Sequence, residues 1–141
     1  GASAYRLGIT SKNRASFTTR KVVPNNMGPE IRAERWYHVV GVQDEKVSKQ
    51  AILYVDGLPK NKVPLGNKVK EKETDLKIGA RNWAGGDVQQ FFKGIIDEVA
   101  IFNRALTKDE IKQAMKGLES IFAVNDYGKL AVTWSAIKVE N

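Results

Sequence analysis

The run AILYVDGLPKNKV, residues 51–63, constrains this chain most. Asp56-Gly57 is a two-residue loop of the kind that tolerates positive φ, and it separates two apolar, extended runs, so the segment predicts a β-hairpin. Two residues cannot carry a parallel crossover, which makes the pairing antiparallel. Similar short apolar runs recur along the first hundred positions, and the reading places strands at Tyr5–Ile9, Ala15–Thr19, Trp36–Val42, Ala51–Val55, Leu58–Val63, Leu76–Ala80 and Phe91–Phe102. Their spacing is that of an antiparallel sandwich rather than of alternating helices and strands. Between Val23 and Glu34 no periodic pattern survives, and Pro24, Gly28 and Pro29 mark a long connection.

One segment carries a helical signature. Thr107 is followed three residues later by Glu110, a capping box, and Ile111, Ala114, Met115 and Leu118 recur at helical spacing, with Gly117 interrupting the end. Beyond it, IFAVNDYGKLAVTW reads as two extended runs around a turn at Asn125–Gly128, with docking as an appendage the alternative. The expected class is all-β, an antiparallel jelly-roll sandwich of two sheets with one short helix near the C-terminus. Residues 1–120 form the domain and residues 121–141 an extended C-terminal extension. A chain of 141 residues, 42% hydrophobic, suffices for one core and leaves little room for a second domain.

Composition narrows the chemistry. There is no cysteine, so no disulfide framework, thiolate metal site or thiol nucleophile is available, and His38 alone leaves too few ligands for a zinc site. Twenty-three Lys and Arg against 16 Asp and Glu give +7, a bias toward acidic partners. No long apolar run occurs, and Gly1-Ala2-Ser3-Ala4 lacks the regions of a signal peptide, so no membrane insertion is expected.

Candidate residues are few. In RWYHVVGVQD, strand alternation puts Trp36, His38, Val40 and Val42 on one face and Tyr37 and Val39 on the other, and favours a packed, hydrogen-bonded His38 beside a core tryptophan over a general base. Glu71, Glu73 and Asp75 occupy alternate positions, a permissive arrangement for paired carboxylates. Lys68, Lys70 and Lys72 alternate with them, however, so a solvated segment is the better reading. Trp83, in GARNWAGGDVQQ with Asn82, Gly85, Gly86 and Asp87, suits a sugar site in which an indole stacks on a ring and amides orient hydroxyls. The alternative is a Trp83 folded back over one end of the sandwich. Lys60, Lys62, Lys68, Lys70, Lys72 and Lys77 suit an anionic polysaccharide, though lysines also guard strand edges. Nucleic acid is not expected, because no aromatic residues are interleaved among them to stack bases.

Taken in order, RWYHVVGVQD, AILYVDG, LKIGA and FFKGIIDEVAIFNRALTKDEI resemble laminin G-like domains of the concanavalin A-like lectin/glucanase superfamily, from Trp36 to about Leu118. The resemblance implies a jelly roll used mainly as a noncatalytic module that binds carbohydrate or protein, extracellular or at the cell surface. Related hydrolases are similar to E-x-D-x-x-E in their concave sheet, a motif this chain lacks. No enzyme is therefore expected, and no required cofactor. Alternation in GIIDEVAIF sets Asp97 on the side of Ile95, Val99 and Ile101, where a bare buried carboxylate would cost several kcal/mol. The matching Asp of similar domains supports the fold or joins a calcium site. Asp97 is thus expected to be structural, with Arg104 or backbone N–H groups as partners and calcium as the alternative, while Glu98 faces solvent. Similar domains also begin with several strands before the equivalent of YRLGI. That difference predicts either a fragment of a longer protein or missing first strands replaced by the Lys129–Val139 run or by another chain, and with it self-association or a covering partner.

Overall fold

A computed structural model of the chain describes residues 5–19, 26–66, 76–82 and 88–122. Two three-stranded antiparallel sheets form its centre. The first runs β1 (Tyr5–Ile9), β2 (Arg14–Thr19), β3 (Asn26–Glu30), and the second runs β4 (Val39–Asp44), β5 (Gln50–Val55), β6 (Leu58–Pro64). The Asp56-Gly57 hairpin forms as predicted. Both residues have positive φ, 52° and 70°, which suits the twist of the flanking strands, and Val55 pairs with Leu58 across the turn.

Register explains the packing. Val39, Gly41 and Gln43 pair with Val55, Leu53 and Ala51, and this face meets the first sheet; Val40 and Val42 pair with Tyr54 and Ile52 on the opposite face. Between the sheets lies one core of Ala15, Phe17, Ala51, Leu53 and Val55, bordered by Ile31, Tyr37, Val39, Val63 and Leu65. A second core, Val42, Tyr54 and Ile111 with Val40, Ile52 and Leu106, fills the other face beneath α1 (Lys108–Ala114). The second sheet is therefore the middle of three layers. Each fully buried Leu or Val side chain in it contributes about 1.5–3 kcal/mol.

The capping box is present in full. Thr107 Oγ1 accepts from the Glu110 N–H at 3.3 Å, and a Glu110 carboxylate oxygen accepts from the Thr107 N–H at 2.7 Å. A further helical turn, α2 (Glu119–Phe122), takes up Ile121 and Phe122, which the sequence reading had placed in an extended run. The rest of that run lies outside the described residues.

Three differences from expectation have local causes. The 23–34 connection contains β3, an edge strand among the described residues, where proline is tolerated because it pairs there on one side only. Gly28 lets β3 lie flush on the core, since a Cβ there would stand 2.7 Å from Leu53 Cδ2. Leu76–Ala80 forms no strand: Gly79 turns the chain at φ 76°, and pairing starts only at β7 (Arg81–Asn82) with β8 (Val88–Gln89). Phe91–Phe102 also forms no ladder. Positive φ at Gln90 (57°) and Glu98 (48°) breaks the extended run, and Ile95 and Ile101 stand 76% and 72% exposed. Among the described residues no helix is long and apolar enough to cross a membrane.

Candidate binding surface

The paired strands β7 and β8 flank residues 83–87 of the predicted sugar-binding segment. Arg81 pairs with Gln89 and Asn82 with Val88, so Asn82 stands at the mouth of the connection 83–87. The hairpin base is held to the preceding segment, with the Phe92 N–H donating to the Gly79 carbonyl at 2.7 Å. Trp83 and Asp87 lie outside the described residues, as do Glu71, Glu73, Asp75, Lys68, Lys70 and Lys72.

His38 is part of a network that the sequence reading passed over. Asp56 was legible only as a turn residue, yet its Oδ1 accepts from the His38 backbone N–H at 3.0 Å and its Oδ2 pairs with Arg35 Nη2 at 3.1 Å. The Asp56 N–H in turn donates to the His38 carbonyl at 2.8 Å. Arg35 also stacks over the Tyr37 ring, 4.7 Å from its centre, and the Tyr37 hydroxyl accepts from the Arg32 N–H at 3.1 Å. The carboxylate thus organises backbone and arginine but does not orient the imidazole, as a catalytic dyad would require. His38 Nδ1 is shielded and has no partner among the described residues, which differs from the hydrogen-bonded histidine expected; its neighbour Trp36 is 62% exposed rather than part of the core. Burial holds the His38 pKa below its ordinary value, opposed by the charges of Asp56 and Glu98.

Asp97 is corrected in its surroundings. It is exposed, because the chain turns at Glu98, and its Oδ1 accepts from the Glu98 N–H at 2.8 Å. The two adjacent acids shape a turn rather than occupy a buried strand. Of the two partners expected for Asp97 the backbone N–H is the one present, while Arg104 grips Glu110 with both guanidinium nitrogens at 2.9 and 2.6 Å. That pairing, with the Thr107 N–H, pulls the Glu110 pKa down to about 2. Among the described residues no three His, Asp or Glu side chains gather as a metal site. Asp44 shows the same economy of acids: it accepts from the N–H groups of Lys46, Val47 and Ser48, and hydrogen bonding lowers its pKa to about 2.

Two facing antiparallel sheets with loops at their rims define a sandwich of the lectin-like kind. The Laminin_G_3 family model, described as "Concanavalin A-like lectin/glucanases superfamily", matches residues 1–112, and the chain belongs to this family. Among solved structures, an S-layer domain-containing protein (residues 221–444) from Clostridium thermocellum ATCC 27405 is similar in fold, with a TM-score of 0.50 and 21% identity. The match covers 79% of this chain and 55% of that one, so this chain spans about half the length of that structure. Comparison with functionally curated proteins gives no significant match.

Proposed function

We propose that the chain is a noncatalytic recognition or adhesion module of a secreted or surface protein, binding carbohydrate through the rim formed by Asn82, Trp83 and Asp87. The observation that carries this reading is the pairing of β7 with β8, which flanks the aromatic and glycine-rich sequence WAGGD of residues 83–87. Family membership agrees with it, and the similar Clostridium structure is an S-layer domain-containing protein, consistent with a surface setting. Asp44, Asp56, Asp97 and Glu110 are engaged in turns, caps and ion pairs, which speaks against their use in a hydrolase. Stacking and hydroxyl hydrogen bonding call for no cofactor. On a glycan array, the wild-type chain binds and Trp83→Ala loses the signal; a wild-type chain that binds no glycan overturns the reading.

A second reading, a protein-interaction or structural domain, has its own observation. Phe91, Phe92, Ile95, Ile96, Val99 and Ile101 are all exposed in a stretch without ladder pairing, and such a surface favours a covering chain or a second copy. Sedimentation distinguishes the cases: a monomer at every concentration removes self-association.

A further inference from the structure

The two sheets cover one another in step: β3 meets β5 and β6, β2 meets β5 and β4, and β1 meets β4. Directly paired residues of neighbouring strands share a face, so Tyr5, Leu7 and Ile9 stand on the same face as their partners Thr19, Phe17 and Ala15. Those partners are buried, whereas Tyr5, Leu7 and Ile9 are 60%, 46% and 42% exposed. The cause lies in the second sheet. Among the described residues β4 is its edge, so the core side of β1 overhangs that edge.

The β4 backbone is open on the same side. The Asp56 N–H donates to the His38 carbonyl, and pairing continues in unbroken register from Val39 with Val55 to Asp44 with Gln50. In an antiparallel ladder hydrogen-bonded pairs alternate, so Val40, Val42 and Asp44 bond to β5 while the N–H and C=O groups of Val39, Gly41 and Gln43 point away from it. A strand added beside β4 would pair with those groups and lie under Tyr5, Leu7 and Ile9.

We propose that residues 129–139, KLAVTWSAIKV, add to the β4 edge as a further strand of the second sheet, packing Leu130, Val132 and Trp134 against Tyr5, Leu7 and Ile9. Alternation sets Leu130, Val132, Trp134 and Ala136 on one face, and no charge falls between Lys129 and Lys138, so the eight residues between them suit a dry slot beside the six of β4. The run also reaches. The helix α2 packs on α1, which covers the outer face of the second sheet, and residues 123–129 fully extended span about 23 Å, against about 10 Å between packed layers and about 5 Å to the next strand position. Other occupants fit less well. A second copy joined by antiparallel β4–β4 pairing would present Val39, Gly41 and Gln43 to the apolar row of β1, with one large apolar side chain among them. Residues 91–102 are apolar but broken by the positive φ of Glu98, and they form no ladder.

Hydrogen exchange and NOE measurements on the full chain test this. The amides of Val39, Gly41 and Gln43 are protected to within about tenfold of those of Val40 and Val42, dilution leaves that protection unchanged, and the Trp134 indole gives NOEs to the Leu7 and Ile9 methyl groups. Val132→Pro/Thr133→Pro strips the N–H from two adjacent residues, one of which must face β4. In that variant Val39, Gly41 and Gln43 lose at least ~10-fold of their protection, while Val40 and Val42, bonded to β5, keep theirs. Fast exchange at Gly41 and Gln43 in the wild-type chain overturns the proposal. So does protection that fades on dilution, the mark of a second copy, or protection indifferent to the prolines, the mark of another occupant. Should the proline variant unfold, the wild-type NOEs decide, and their absence overturns the proposal. Glycan binding at the rim does not enter this readout, so the two proposals fail separately.

Discussion

Replacing Gly41 by alanine tests the sandwich at its tightest point. Gly41 sits in β4 opposite Leu53, on the face turned to the first sheet, and a Cβ there would fall on the Phe17 ring, against Cγ, Cδ2 and Cε2. Phe17 is itself 5% exposed in the centre of the core. The ring cannot swing clear, since its Cγ is only one bond beyond its own Cβ, so either the sheets separate or Phe17 leaves its rotamer. Overpacking of this kind costs about 1–3 kcal/mol, and the ring-centred overlap sets the expectation at the upper end, about 3 kcal/mol. With a urea slope of about 1–2 kcal/mol/M, the unfolding midpoint falls by roughly 2 M. Phe17→Leu alone costs about 1 kcal/mol, yet combined with Gly41→Ala it restores room, so the double variant is less destabilised than the sum by at least ~1 kcal/mol. A Gly41→Ala midpoint within error of wild type refutes the facing of β4 and β2 across the core.

Acid unfolding follows from two depressed carboxyls. Glu110 and Asp44 have folded pKa values of about 2 against ordinary values of 4.5 and 3.8, so their stabilisation is present above the ordinary values and lost as pH falls toward 2; Glu110→Gln and Asp44→Asn flatten that slope in urea midpoints measured across this range. His38 acts in the same direction at higher pH. Burial lowers its folded pKa, so stability is full above 6.5 and declines as pH drops below that value; NMR titration of this single histidine shows a midpoint under 6.5, and an ordinary midpoint refutes the shielding. Asp97→Asn keeps an acceptor for the Glu98 N–H, and its melting stays within about 0.5 kcal/mol of wild type, with or without chelator.

How much was legible depended on whether the deciding forces were local. The Asp56-Gly57 hairpin, the alternation of β4 and β5, and the Thr107–Glu110 capping box were all determined by the sequence itself, because turn φ, side-chain alternation and cap hydrogen bonds join residues only a few positions apart. The same locality misled at Phe91–Phe102, whose β-branched composition fits a strand while a ladder needs a partner that composition does not supply. Tertiary structure alone decided the rest. It made β3 from a proline- and glycine-marked connection by giving it β2 to pair with and Leu53 to lie on, and it gave Asp56 a second task through Arg35 and His38. It also brought Lys112 and Met115 against the turn at Gly57, because contacts between residues far apart in sequence exist only once the sheets and the helix have packed.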